Sequence, residues 1–199
     1  MKRYDVPRLV FVNKLDRMGA DPWSAIEQVR DRLGLCAAAV QVNIGIENGL
    51  EGVVDLVTMK ALYFDGDSGE VIREEEIPDN LKDLCVEKKL ELIGTLAEID
   101  ESMEEYYMDE NPDIPVQELK DCIRKHTIDL NFCPVFLGSA FKNKGVQPLL
   151  DGVVSYLPNP TEVENFAYDP KKSEDDEKVP MEINNKKPFV GLAFKLEET

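Results

Sequence analysis

The sequence has little of what a protein needs to bind nucleic acid or cross a membrane. Its 23 Lys and Arg residues are outnumbered by 40 Asp and Glu residues, which gives a net charge of −17. Because binding to a nucleic-acid backbone needs clustered Lys and Arg, we expect no direct nucleic-acid binding by this acidic chain. No run of about 18 uncharged apolar residues occurs, so neither a membrane-spanning helix nor a membrane partner is expected. The charge instead favours a solvated acidic surface or docking to basic proteins.

Residues able to bind metals or act as nucleophiles are also scarce. The four cysteines, Cys36, Cys85, Cys122 and Cys133, lie far apart, so zinc-ribbon spacing is absent and we expect reduced, mostly buried thiols and no metal site. His126 is the only histidine and no nucleophile signature accompanies it, so we expect it on a helix surface. The phosphate-binding pattern G-x-x-x-x-G-K-S/T does not occur in the sequence either.

The apolar residues alternate between strand-like and helix-like spacing, which is typical of an α/β fold. Residues 8–12 (RLVFV) and 132–137 (FCPVFL) are short apolar runs of the kind found in buried parallel strands. A helix is predicted over residues 21–34, starting at Asp21-Pro22 and ending at Gly34. The other predicted elements are a strand at 37–44, a hairpin of 53–64 with 70–73, helices at 81–99, 102–109, 116–130 and 146–157, a charged linker at 162–185 and a strand at 189–196.

The strongest motif is Asn13-Lys14-Leu15-Asp16, directly after the first predicted strand. A carboxylate there can accept hydrogen bonds from both N1–H and the exocyclic N2–H of guanine; adenine offers no matching donor pair, so Asp16 selects guanine. The stem of Lys14 can lie along the base plane, and Asn13 can hydrogen-bond the base edge and neighbouring loops. An N-K-x-D pattern arises by chance in roughly 2–3% of chains of this length. Its position between a buried strand and a capped helix favours the functional interpretation.

A second motif, Gly138-Ser139-Ala140, follows the other buried strand. Its small residues allow the backbone to approach a base edge, where the Ala140 amide can donate to guanine O6. Alone, this pattern is more often a tight strand-to-helix turn. Because ligands of open α/β sheets bind at the carboxyl ends of the strands, two such ends with complementary guanine contacts predict one guanine-binding site.

The two motifs match the base-binding elements of GTPases, and the long segment between them indicates an inserted subdomain. This architecture, with the stretches FVNKLDRMGAD, GSAFKNKGVQPLLDGVVSYLPNP and FVGLAFKL, resembles the elongation factor G family and is most similar to its mitochondrial form. The resemblance implies an α/β fold with the C-terminal part of a P-loop GTPase-type parallel sheet, a large α+β inserted subdomain and the start of a β-barrel domain. The implied boundaries are 1–35 and 130–160 for the GTP-binding domain, 36–129 for the insert, 161–187 for a linker and 188–199 for the barrel start.

The resemblance also implies a function. The phosphate-binding loop, switch segments and Mg²⁺ ligands of the family are expected upstream of this chain, so the chain alone is not expected to hydrolyse GTP. In the family, GTP hydrolysis drives tRNA and mRNA through the ribosome. That implies ribosomal partners, including stalk proteins, and a mitochondrial location, with a cytoplasmic one as the alternative. The residues implied to contact the guanine of GTP or GDP are Asn13, Lys14, Asp16, Ser139 and Ala140, with Phe141 covering the base.

Two other interpretations fit the same residues. One is a related ribosomal GTPase with a recycling or release role, which segments outside this sequence would distinguish. The other is a non-enzymatic acidic interaction module that has kept the fold, has lost nucleotide binding and docks to basic stalk proteins. Loss of the phosphate-binding loop from the native gene would favour the second interpretation.

Overall fold

The computed structural model describes residues 4–66, 68–167, 179–184, 186–187, 189–191 and 195–197, in two units that comprise residues 1–157 and 158–199. Short 3-10 helices lie at Glu47–Gly49, Asp79–Leu81 and Glu101–Met103 in the first unit. The longer elements of that unit are β1 (Val10–Val12), α1 (Pro22–Leu33), β2 (Ala37–Ala39), β3 (Gln41–Ile44), β4 (Gly52–Asp55), β5 (Lys60–Asp65), β6 (Val71–Glu75), α2 (Lys82–Ala97), α3 (Glu104–Met108), α4 (Val116–Ile128), β7 (Cys133–Leu137) and α5 (Val146–Tyr156).

A parallel sheet in the order β1–β7–β2 carries both predicted buried strands. In its register Val10 pairs with Val135 and Val12 with Leu137, while Ala39 pairs with Val135 from the other side. Every residue of β7 is buried, as expected for a central strand covered on both faces, which needs a continuous apolar run rather than an alternating one. The parallel α/β fold predicted from the sequence is confirmed.

Helix α1 fixes one face of this sheet. The side chain of Asp21 accepts a hydrogen bond from Ser24 N at 3.0 Å, and Gly34 adopts a left-handed φ of 59°, so both predicted helix ends are confirmed. Ile26 is buried in one cluster with Val135 and Leu137 of β7. Full burial of a side chain of this size stabilises the fold by roughly 1.5–3 kcal/mol.

The predicted strand at residues 37–44 is in fact two strands that belong to different sheets. β2 pairs with β7 in the parallel sheet, whereas β3 is the first strand of an antiparallel sheet in the order β3–β4–β5–β6. The chain passes from one to the other at Val40, whose amide donates to Val135 O at 3.0 Å. The predicted start of the inserted subdomain at residue 36 stays a prediction. The strand directly after it, β2, pairs in the parallel sheet, and the antiparallel sheet begins only with β3. An apolar run shows that a segment is buried, and it does not show which sheet the segment joins.

The hairpin predicted on either side of residues 65–69 is confirmed as β5 and β6, but its predicted first arm at 53–64 holds two strands, β4 and β5, and only β5 pairs with β6. Asp65 pairs with Val71 at its closed end, and Gly66 and Gly69 have positive φ values of 90° and 65°. Arg73 Nε donates to Asp65 Oδ2 at 2.7 Å, which neutralises this carboxylate within the hairpin.

Helices α2 and α4 bury one face each in a single hydrophobic cluster. The fully buried residues of that cluster include Leu92 and Leu96 of α2 and Leu119 and Ile123 of α4. The predicted helical region between residues 81 and 130 is therefore confirmed, with α3 as its short middle segment. Within the described part of the chain, no helix combines the length and apolar character needed to cross a bilayer.

The four cysteines are free thiols, as predicted from their spacing. Cys85, Cys122 and Cys133 are buried and Cys36 is partly buried. Burial raises the pKa of the Cys85 and Cys133 thiols to about 11 and that of Cys122 to about 12. They therefore stay protonated near neutral pH and pack as small apolar side chains.

The expectation that His126 lies on a helix surface is wrong. Its side chain is 5% exposed, and its Nε2 lies 2.7 Å from Asp100 Oδ2, which also accepts from Lys125 Nζ at 2.8 Å. The other oxygen, Asp100 Oδ1, accepts from the amide and the hydroxyl of Ser102 at 3.1 and 2.8 Å. The hydrogen bond that Asp100 accepts from Lys125, and after it the one from His126, hold the pKa of the Asp100 carboxyl well below its usual range. This network ties α4 to the turn after α2.

We expect Asp100→Asn to lower the free energy of unfolding by about 1–3 kcal/mol at pH 7, because hydrogen bonds to a charged, nearly buried group are lost. Since the folded-state pKa of Asp100 is depressed, its contribution is complete well above its unfolded-state pKa of about 4 and is lost as the pH falls through lower values. The difference between parent and variant in the free energy of unfolding, measured with urea, should therefore stay constant from pH 7 to about 5 and shrink as the pH is lowered through about 4 to about 3. The exposed Asp121→Asn is the matched control, and a difference that does not change with pH would contradict the role assigned to Asp100.

The second unit contains a small antiparallel pair, β8 (Asn165–Ala167) and β9 (Val179–Met181), in which Ala167 pairs with Val179. The linker predicted at 162–185 thus includes short strands, and its residues 168–178 lie outside the described residues. The strand predicted at 189–196 is not seen: residues 189–191 and 195–197 are not in a strand, and residues 192–194 lie outside the described part of the chain.

Candidate guanine-binding site

The two predicted guanine loops start at neighbouring strand ends. β1 ends at Val12 and β7 ends at its paired residue, Leu137. Gly138 links the loops, because its amide donates to Val12 O at 3.1 Å and its carbonyl accepts from Leu15 N at 3.1 Å. The motif residues that follow each strand therefore lie side by side at the carboxyl edge of the parallel sheet.

Asp16 and Ser139 meet between the two loops. Ser139 Oγ donates to Asp16 Oδ1 at 2.6 Å, although the two residues are 123 positions apart in the sequence. The Asp16 side chain is 7% exposed and Ser139 is fully buried. The hydrogen bond from Ser139 is the main reason that the pKa of Asp16 is lowered, and the charges of Arg17 and Lys142 act in the same direction. Asp16 is therefore an ionised acceptor, the form that a pair of base N–H donors requires.

Asn13 and Ala140 make the second contact between the loops. Asn13 Oδ1 accepts from Ala140 N at 2.9 Å and from Lys14 N at 2.7 Å. Two amide donors at one oxygen fix the orientation of the Asn13 side chain, so Nδ2 is the group that can donate to a ligand. The Ala140 amide, predicted to donate to guanine O6, has Asn13 as its partner in this structure.

Lys14 and Leu15 lie on opposite sides of the loop. Lys14 is exposed and has a φ of 64°, a left-handed conformation that is costly for a side-chain-bearing residue. Leu15 is 1% exposed and belongs to the same cluster as Ile26 and Leu137. The buried leucine thus anchors the loop while the lysine stem lies at its surface.

Phe141 is 80% exposed beside the second loop. The cationic groups of Arg17 and Lys142 lie 5.9 and 5.8 Å from its ring centroid, within the range of cation–π attraction. An exposed aromatic ring of this kind can stack on a nucleotide base.

Residues outside the two motifs shape the site, and sequence patterns did not identify them. Lys144 pairs with Ser139 in both directions, with N–O distances of 2.8 and 3.0 Å, and its Nζ donates to Leu50 O at 2.6 Å. Glu47 bonds to Leu15 and to Gly19. These contacts join the guanine loops to the connection between β3 and β4. A lysine and a glutamate in surface-like positions carry no signal for such a role, because polar residues there are normally solvated.

Asp100, Cys122 and His126 form a second cluster with the donor types of a metal site. Their ligand atoms lie within 4.8 Å of one another, and no other group of three such residues occurs among the residues that the structure describes. Both oxygens of Asp100 are occupied by hydrogen bonds from Ser102, Lys125 and His126, and the Lys125 ammonium already supplies the positive charge. The cluster is therefore a structural ion-pair network.

The parallel sheet, with strand-end loops that join carboxylate, amide and hydroxyl groups, defines an α/β domain of the nucleotide-binding class. The sequence matches the family described as elongation factor Tu GTP binding domain over residues 1–159. The chain belongs to this family of translational GTPases.

Two individual comparisons agree with the family assignment. Over 198 residues the chain is 50% identical to elongation factor G-1, mitochondrial, of Arabidopsis thaliana, a match that covers 100% of this chain and 26% of that protein. A crystal structure of a Thermus thermophilus protein superimposes with a TM-score of 0.67 at 27% identity and covers 81% of this chain and 24% of that one. The resemblance to elongation factor G drawn from the motifs is confirmed, and the chain spans about a quarter of the length of the relatives it matches.

Proposed function

We propose that the chain supplies the guanine-recognition half of a GTP/GDP site in a translational GTPase that promotes translocation of tRNA and mRNA on the ribosome. The observation that carries the proposal is the 2.6 Å contact between Ser139 and Asp16. It joins the two predicted base-binding motifs and holds an ionised carboxylate at the edge of the sheet where α/β domains bind ligands.

Each site residue has a role in base recognition. Asp16 accepts from guanine N1–H and N2–H, Asn13 donates through Nδ2 to the base edge, and the stem of Lys14 lies along one face of the base. Ser139 keeps Asp16 ionised and in place, and the Ala140 amide, which donates to Asn13 Oδ1 in this structure, shares its hydrogen with guanine O6 when the base binds. Phe141 lies over the base, flanked by the cations of Arg17 and Lys142.

Phosphate and Mg²⁺ binding are not part of this chain's proposed contribution. The sequence lacks the pattern G-x-x-x-x-G-K-S/T, which supplies backbone donors to phosphates and a hydroxyl to Mg²⁺ in GTPases. A bound Mg²⁺ would neutralise charge on the β- and γ-phosphates. Hydrolysis is therefore a property of the complete protein, with this chain selecting the base.

The relative's name supports a place in organellar translation. The Arabidopsis protein is called a mitochondrial elongation factor G, so we assign the same compartment and the ribosome as partner. The net charge of −17 supports docking to basic ribosomal proteins, including stalk proteins, rather than to RNA.

Titration of the 199-residue chain with GDP and ADP, followed by amide NMR shifts, tests the proposal. We expect GDP to shift signals of residues 13–16 and 138–141 with a Kd above roughly 100 μM, because most nucleotide affinity comes from phosphate contacts that the sequence lacks. ADP at the same concentration is the control and should leave those signals unmoved. If GDP moves none of these signals in the well-dispersed spectrum of a folded chain, the acidic interaction module is favoured. Nanomolar affinity for GDP would contradict the assignment of phosphate binding to other segments.

A further inference from the structure

Glu47, in the 3-10 helix between β3 and β4, holds the loop that carries Asp16. The Glu47 amide donates to Leu15 O at 2.7 Å, and its carboxylate Oε1 accepts from Gly19 N at 2.7 Å. These two contacts lie on either side of Asp16 in the sequence. Glu47 has a φ of 57°, a conformation that a side-chain-bearing residue keeps only where its surroundings compel it.

The second guanine loop is held by the same part of the antiparallel sheet. Lys144, which pairs with Ser139, donates through Nζ to Leu50 O at 2.6 Å. The tip of the β5–β6 hairpin adds a contact, because Asn143 Nδ2 donates to Ser68 O at 2.8 Å. The connection between β3 and β4 therefore touches both loops at residues that neighbour the proposed base contacts.

We propose that Glu47 is a positioning residue for guanine selection: it sets the position of Asp16 relative to Ser139 by clamping the loop between Leu15 and Gly19. This inference rests on the proposed guanine-binding function. Asp16 has to meet N1–H and N2–H of the base together, and hydrogen bonds weaken steeply when distance or angle departs from the optimum. Loss of the clamp therefore weakens the bond to N2–H more than it weakens binding of the rest of the nucleotide.

The GDP-to-IDP affinity ratio of the complete native gene product measures this effect. IDP lacks the 2-amino group, so the ratio reports the contact between Asp16 and N2–H. We expect Glu47→Ala to lower the ratio about three- to tenfold, as loss of one hydrogen bond does. Glu47→Gln keeps an acceptor for Gly19 N and should restore most of the ratio. Glu51→Ala removes an exposed carboxylate of the same connection and should leave the ratio unchanged.

The ratio separates positioning from folding. A variant that merely folds less well loses GDP and IDP binding equally, and that outcome overturns the inference. If Glu47→Ala gives no folded protein, Glu47→Asp keeps the charge but shortens the reach to Gly19, and it must lower the ratio for the inference to stand. An unchanged ratio in the Glu47 variants, together with altered base selectivity in Asp16→Asn, overturns only the role of Glu47. Unaltered selectivity in Asp16→Asn removes the proposed function, and the inference with it.

Discussion

An Asp16→Asn variant of the complete native gene product is expected to lose GDP affinity by about 100-fold and to prefer XDP. The asparagine amide would present a donor to the N2–H of guanine, whereas the exocyclic oxygen of xanthine accepts from that donor. Ser139 Oγ can still donate to the remaining side-chain oxygen, so the contact between the two loops is kept. Competition binding with GDP, XDP and ADP measures the change.

Asp21→Asn is the matched control for this experiment. Asp21 is exposed, caps α1 by accepting from Ser24 N and undergoes the same change of charge. Asparagine caps helices as well as aspartate does, so the helix should persist and base selectivity should not move. A guanine preference that survives Asp16→Asn would remove Asp16 from the site.

Gly138→Ala should be the most damaging small substitution in the second loop. A Cβ at Gly138 would lie 2.2 Å from Lys144 O and 3.0 Å from Cζ of Phe11. Lys144 O cannot move freely, because it accepts from Ser139 N at 2.8 Å. We expect the free energy of unfolding to fall by about 3 kcal/mol, at the upper end of overpacking costs, together with loss of GDP-specific NMR shifts.

Gly49→Ala tests whether the effect comes from the close approach at Gly138. A Cβ at Gly49 meets no atom within 4 Å, so this substitution should be neutral or stabilise the chain by about 0.4–1 kcal/mol through reduced entropy of the unfolded state. If urea unfolding shows that both variants lose the same free energy of unfolding, the close approach of Gly138 to Lys144 is not the cause of the destabilisation.

The meeting of the two motifs at one site could be predicted because two simple signals coincide, whereas the hydrogen bond between Ser139 and Asp16 is seen only in the structure. Each motif follows a short, continuous apolar run of the kind found in buried parallel strands, and the carboxyl ends of parallel strands meet at one edge of the sheet. The order of the helices followed equally from apolar spacing and from the caps at Asp21 and Gly34.

The parts that could not be predicted depend on polar residues whose partners are far away in sequence. Gln41 is 2% exposed, and its side-chain Oε1 accepts a hydrogen bond from Leu137 N at 3.0 Å. This side chain takes the place of a backbone acceptor beyond the end of β2, and no sequence pattern predicts such a contact. His126 shares the buried face of α4 with Leu119 and Ile123, and that spacing was the available clue to its burial. Glu47 resembles a solvated acid in the sequence, since its bonds to Leu15 and Gly19 arise only when the two sheets meet.

The long separation between β1 and β7 has a consequence for how the protein is made. Val10 pairs with Val135, so β1 leaves the ribosome well before its partner strand is synthesised. At synthesis rates of about 5–20 residues per second, that delay is on the order of ten seconds, long compared with the formation of helices and hairpins. The segment between the strands can fold in that interval, and by bringing its own ends together it reduces the entropy cost of the final pairing. Until β7 arrives, the edge of β1 that pairs with it lies open, and an open apolar strand edge is the kind of segment that chaperones protect from aggregation.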